Sequence, residues 1–351
     1  PRRILDPAAV TATAGAVRNI LVELGLCASG PGPHPTRVQG GPLRRHAAPR
    51  CQTAGWLEAV VAPGQPFGRG DLLARIRSPG GAVLEQIQAS RTGIVPISST
   101  LDTPGPMTKT VIDNAIVLDA MDGADEADAI TSEAPAQRTF VQAFATGTLE
   151  EKRLGAIAAL VEGDSLYAAA VGALRASGAE VIEITPPDIS LNGFLSILNG
   201  DMIRDLPHYF NTAAAPELAG MDVAGAMAFN RADSALHMPY GQARFEGIVA
   251  DPITEGGLDS LIAVLHAEGR RFFDEPMAEY SLDAVLSINN YHAANAAVAY
   301  YPGLTVPMGY YANGEPAGLT FFAPSHEEER LIGLAAAYEA ATKQRQAPLQ
   351  P

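Results

Sequence analysis

Residues 93–107 read GIVPISSTLDTPGPM, and the adjacent serines Ser98 and Ser99 stand shortly before Lys109. A serine hydroxyl is a weak nucleophile until a neighbouring base takes its proton and preorganised donors await the oxyanion. Serine and lysine are residue types suited to such chemistry. The intervening Pro104-Gly105-Pro106 and the helical pattern after it give no reason for their side chains to converge. Ser98 and Ser99 are therefore the catalytic candidates by type, while their expected role is to satisfy backbone groups of the loop. Asp102 and Thr103 are expected to cap or tie the DTPGP turn.

Other reactive types are thinly spread. The seven histidines show no metal-ligand spacing, and His326-Glu-Glu-Glu-Arg330 opens like HExxH but has arginine where the second histidine belongs. That run is expected to start a helix, with glutamates near its positive end. Cys27 and Cys51 are too few for a disulfide framework or a four-thiolate site and are expected to be reduced thiols. Gly68-Arg-Gly70 lacks the third glycine of a dinucleotide loop, and no P-loop occurs. No metal and no cofactor is expected.

The elements around these residues must come from 351 residues, 47% hydrophobic and 18% charged, a balance that predicts globular folding with room for two domains. No run has the length of a membrane span, and the first residues lack the apolar core of a signal peptide, so a cytoplasmic protein without a membrane role is expected. The net charge of −15 is uneven. Residues 1–95 hold eleven Arg, no Lys and five acidic residues, about +6, and the other 13 basic and 34 acidic residues give about −21. The arginines are scattered without aromatic interleaving, which argues against nucleic acid.

Residues 10–24 carry apolar side chains at helical spacing, closed by Gly25; 29–50 read as a connection; 54–77 read as short strands broken by Pro63-Gly64 and by Gly68 to Asp71. From about residue 96 the pattern becomes α/β. A helix is expected over 110–123, with Val111, Ala115 and Leu118 on one face. Strand 154–160, helix 165–177 closed by Gly178 and strand 179–184 form a βαβ unit with parallel strands. Residues 304–310 and 318–322 flank Asn313-Gly314, a hairpin signal, and a last helix is expected over 326–343.

The segment GWLEAVVAPGQPFGRGDLLARI, with the VRNILVELG helix before it and QASRTGIV after it, resembles the carboxy-terminal barrel-sandwich domain of the succinylglutamate desuccinylase/aspartoacylase family. The zinc-holding domain of such enzymes has no counterpart here. Barrel-sandwich folds also carry biotin or lipoate on a lysine, and 1–95 contains no lysine.

The segment GIVPISSTLDTPGPMTKTVIDNAIVLDAMDGAD resembles the region after the nucleophile in amidase-signature hydrolases. The similarity continues through Phe229-Asn230, Pro239-Tyr-Gly-Gln242, YPGLTVPMG at 301–309 and GEPAGLTF at 314–321, over about 96–347. It implies hydrolysis of carboxamide C–N bonds through a Ser-cisSer-Lys triad and a Gly/Ser-rich loop. Neither appears within these residues: no GGSSGG run occurs, and the lysines are Lys109, Lys152 and Lys343, all after the serine pair. The segment at 90–95 suits both families and marks a seam.

These readings combine into an α/β chain. Its expected parts are a β barrel-sandwich module over 1–95 and, over 96–351, an incomplete amidase-signature mixed sheet with flanking helices. The resemblance implies a small-molecule amide substrate or ligand, with Gln242 and Asn295 as substrate-side residues. His292 shares a helical face with Asn295. Little activity is expected of the chain alone. A non-catalytic binding or regulatory protein, with a protein partner or as a homo-oligomer, and a truncated fusion of an amidase with a zinc-dependent N-deacylase are the alternatives.

Overall fold

The computed structural model describes residues 97–346 apart from 104, 124–128, 136, 137, 213 and 215, and the backbone of three earlier strands. The expected helix at 10–24, the connection at 29–50, Cys27, Cys51 and the turns at 63–64 and 68–71 lie outside the described residues. Contact density divides the chain into two units, one of residues 1–95, 120–133 and 209–220, and the other of the remainder.

In the first unit, β1 (Trp56–Ala59), β2 (Leu72–Arg77) and β3 (Val83–Gln88) form an antiparallel sheet in the order β1-β2-β3. The strand pairs β1–β2 and β2–β3 are both antiparallel, with two register irregularities in the second.

The second unit is built on a five-stranded mixed sheet in the order β5-β4-β6-β8-β7, from β4 (Arg153–Ile157), β5 (Glu180–Ile184), β6 (Ala284–Ile288), β7 (Gly303–Tyr310) and β8 (Pro316–Phe322). β5, β4 and β6 are parallel; β6–β8 and β8–β7 are antiparallel. Burial follows position. Every residue of central β6 is buried, whereas edge strand β5 buries only Val181 and Ile184. That contrast is expected where helices cover both faces of a parallel centre.

The helices of this unit are α1 (Val111–Met121), α2 (Phe140–Thr146), α3 (Ala158–Gly163), α4 (Ser165–Ala176), α5 (Phe194–Thr212), α6 (Val223–Ala232), α7 (Ser234–His237), α8 (Ala243–Ala250), α9 (Glu255–Tyr280), α10 (Ala293–Ala299) and α11 (Glu328–Thr342). The last residues of α1 and α5 lie in the first unit. The two-residue period of β6 divides the core. Ala284, Leu286 and Ile288 join a cluster with α1, α2, α4 and α11, through Val111, Phe140, Tyr167, Leu174, Leu331 and Tyr338. Val285 faces the other way, into a cluster with Phe272, Phe273 and Met277 of α9 and with Ala296 and Ala299 of α10. A third cluster joins Ile197 of α5, Leu258 and Leu265 of α9 and Val298 of α10, with Leu101 packed against it.

The βαβ unit forms as its pattern predicts, with parallel β4 and β5 around α4. Asp164 caps α4 by accepting from Tyr167 N, and Gly178, at φ +97°, takes the left-handed turn after it. One boundary differs. The strand expected over 154–160 ends at Ile157, and 158–160 begin α3. Alanine and leucine suit either structure, and the apolar run alone could not separate a strand from a helix start. The hairpin forms with Gly314 at φ +84°. Helix α1 buries Val111 and Ala115, with Leu118 partly buried on the same core.

Helices α9 and α10 approach closely because residue 269 is glycine. A Cβ there would lie 2.6 Å from Val298 Cγ2, 2.8 Å from Ala299 N and 2.9 Å from Asn295 O. Two of these neighbours are backbone and cannot rotate away.

Candidate functional site

The serine loop is held from two sides. Within it, Asp102 Oδ2 accepts from Ile97 N at 2.7 Å and Ser98 N at 3.0 Å, and Asp102 N donates to Ser98 O at 3.0 Å. Asp102 therefore ties the turn that it closes. The second side is α5, whose spacing places Asp201, Arg204 and Asp205 on one face. Asp201 Oδ2 accepts from Ser98 Oγ at 2.5 Å, and Asp205 Oδ2 from Ser99 N at 2.6 Å. The Arg204 guanidinium links both carboxylates, reaching Asp201 Oδ1 at 2.6 Å and Asp205 Oδ1 at 2.9 Å, and it donates to Ser99 Oγ at 2.7 Å. The hydrogen bond and charge of Asp205, followed by the charge of Asp201, hold Arg204 above its ordinary value despite partial burial.

This bonding limits what the serines can do. Ser98 is fully buried, and its Oγ also accepts from Leu101 N at 2.9 Å and Thr100 N at 3.2 Å. Its single proton and both acceptor positions are thus engaged, leaving no lone pair and no room for an incoming carbonyl. Ser99 is exposed, but the side chain on its oxygen is a guanidinium, which donates protons and does not remove them. Lys109 is exposed, and among the described residues no hydrogen bond or ion pair joins it to either serine. Asp201, Arg204 and Asp205 escaped the sequence reading. Their i, i+3, i+4 spacing on a helix was visible, but the target of that face lies about a hundred positions earlier.

A second polar pair lies where β6 ends. Ser287, fully buried, meets His292 Nδ1 through Oγ at 2.6 Å, and the imidazole stacks on Phe272 at 5.2 Å. Burial lowers the imidazole from the ordinary histidine value, which favours the neutral form. His292 was expected on a helix shared with Asn295. It is instead the residue before α10, in the turn that follows β6, and Asn295 is buried inside that helix. The period of β6 places Ser287 on the face of Val285, a signal that could have paired it with His292.

Gln242 starts α8 and is 8% exposed. Its Oε1 accepts from Asn230 Nδ2 of α6 at 3.4 Å, and its buried Nε2 has no partner. Among the described residues no hydrogen bond joins Gln242 to Asn295; the structure places them on α8 and α10. The glutamates after His326 are engaged structurally: Glu328 pairs with Arg138 at 2.9 Å, and Glu329 accepts from Thr139 N at 2.7 Å. Among the described residues, no group of three or more His, Cys, Asp or Glu could hold a metal ion, and no helix is long and apolar enough to cross a membrane.

The fold aligns with amidases of known structure. An amidase family protein from Bacillus anthracis aligns over 74% of this chain and 52% of its own, at 28% identity and a TM-score of 0.68. The peptide amidase of Stenotrophomonas maltophilia aligns over 74% and 57%, at 29% identity and a TM-score of 0.66. A probable amidase of Arabidopsis thaliana is 30% identical over 273 residues, 74% of this chain and 52% of that protein. A subunit of the glutamyl-tRNA(Gln) amidotransferase of Beijerinckia indica is 26% identical over 288 residues, covering 72% and 57%. The chain spans about half the length of the curated relatives it matches. Residues 87–234 match the family model described as Amidase. The match begins at residue 87, earlier than the resemblance read at about 96.

Proposed function

We propose that the chain is an amidase-type hydrolase module for carboxamide C–N bonds, carrying the scaffold and substrate side of the site without the catalytic set. The observation that carries this reading is the Ser98 hydroxyl, buried and committed to Asp201 and two backbone N–H groups. It is a bonded part of the scaffold, and the 351 residues contain no Gly/Ser-rich loop and no lysine ahead of it. Gln242 and Asn295 remain the substrate-side residues of the proposal. The substrate is a small amide, no cofactor takes part, and the setting is the cytoplasm.

A protein partner that supplies the missing groups is consistent with exposed apolar side chains on several helices, among them Leu195, Phe229, Leu236 and Val264, each more than half exposed. The relatives described as amidotransferase subunits belong, by that description, to larger assemblies. The antiparallel β1-β2-β3 sheet and the resemblance at 54–95 support a barrel-sandwich module like a deacylase tail, joined to the amidase part as a fusion. The test is turnover of the purified chain over a panel of linear carboxamides, followed by ammonia release. No turnover above the buffer rate is expected; turnover lost on Ser98→Ala or Ser99→Ala overturns the reading.

A further inference from the structure

The Gln242 side chain is more than nine-tenths buried, yet its amide N–H₂ has no partner. Gln242 occupies the N-cap position of α8 without making a capping bond, so the helix start does not use it. Its oxygen is engaged only by Asn230, at 3.4 Å. Turning over one amide alone sets two donors or two acceptors face to face, and turning over both leaves the buried Gln242 oxygen unmet instead, so one polar end of this amide lacks a partner in every assignment and is the N–H₂ in the one observed. A buried donor left unpaired is costly, and such a group in a folded protein calls for a bound partner. An acceptor oxygen is what a donor amide requires. With neutral amides as the bonding groups, an uncharged carbonyl suits the position better than a carboxylate, whose burial without a counter-charge is far more costly.

The chain on either side of this pair carries large rings. Phe229, next to Asn230, is 57% exposed and stacks on His237 at 4.4 Å and 11°. His237 is itself held by a contact of Nδ1 with Phe229 O at 3.3 Å. Tyr240, two positions before Gln242, is wholly exposed. Exposed rings close in sequence to an unpartnered amide offer apolar surface to one part of a ligand and a hydrogen-bond donor to another, the usual composition of a small-molecule site.

We propose that the Asn230–Gln242 amide pair, flanked by the Phe229–His237 stack and Tyr240, binds the carbonyl of a neutral carboxamide that carries an aromatic group. This rests on the amide-hydrolase reading for the identity of the ligand, and the test reads binding rather than turnover so that the two fail separately. Phenylacetamide is titrated into the full chain and followed by the side-chain amide resonances in ¹H–¹⁵N NMR, with phenylacetate in parallel. Saturable binding is expected, with the Gln242 N–H₂ pair shifting and phenylacetate at least tenfold weaker. Gln242→Leu is expected to weaken phenylacetamide binding at least tenfold. If that variant does not fold, Asn230→Ala, which leaves the donor in place but unanchored, is expected to weaken binding severalfold. No saturable binding, equal affinity for the acid, or binding that ignores both substitutions overturns the proposal, as does a Gln242 amide that responds only to water. Binding without hydrolysis agrees with both readings; turnover lost on Ser98→Ala or Ser99→Ala overturns the catalytic reading and leaves the site standing if binding still depends on Gln242.

Discussion

At the scale of single residues, the serine pair shows how bonding decides between a nucleophile and a strut. Active-site nucleophiles are commonly replaced at little cost in stability, because strained or underpacked sites give up stability for function. Ser98 should behave oppositely. Ser98→Ala removes a donor from the buried Asp201 carboxylate and an acceptor from two backbone N–H groups, and is expected to cost about 2 kcal/mol of unfolding free energy in urea denaturation. Asp201→Ala should cost about as much, and the double variant less than the sum, since both remove one hydrogen bond. His292 supplies a second prediction. Its folded-state affinity for a proton lies below the ordinary value of 6.5 because of burial, so the unfolded chain binds that proton more readily. Its contribution is present in full above about pH 6.5 and is lost as pH falls toward the folded-state value. His292→Phe is expected to shrink the loss of urea midpoint between pH 8 and pH 5; an unchanged difference would rule this out.

At the scale of elements, what was legible in the sequence was local. The Asp164 cap, the glycine at 178, the Asn313-Gly314 turn and the Val111, Ala115 and Leu118 stripe each sit within one element and its turn, so composition and period reveal them. The end of β4 was misread because an alanine-rich run fits a strand or a helix until tertiary packing chooses. The clamp of α5 on the serine loop, and the pairing of Ser287 with His292 across a turn, depend on which faces meet. No short window of sequence records that. The α9–α10 contact is of the same kind, and it makes Gly269 a sensitive position. Gly269→Ala is expected to destabilise by about 1–3 kcal/mol through overpacking against α10 backbone, read as a lowered urea midpoint. A change within about 0.3 kcal/mol, the scale of ordinary surface substitutions, would mean that the helices part without cost.

At the scale of the whole molecule, the five-stranded sheet is coherent with both faces covered, and the proposal is that the catalytic set is not among these 351 residues. Family resemblance reached the fold, which amidases of known structure share with this chain. It could not reach the function of the serines, which depends on the groups set beside them. The central claim is that Ser98 and Ser99 are scaffold rather than nucleophile. The most direct measurement is mass spectrometry of the native chain after exposure to an excess of a small fluorophosphonate, a reagent that marks activated serines. The account predicts no adduct on either residue. An adduct on Ser98 or Ser99, absent after prior unfolding of the chain, would contradict it.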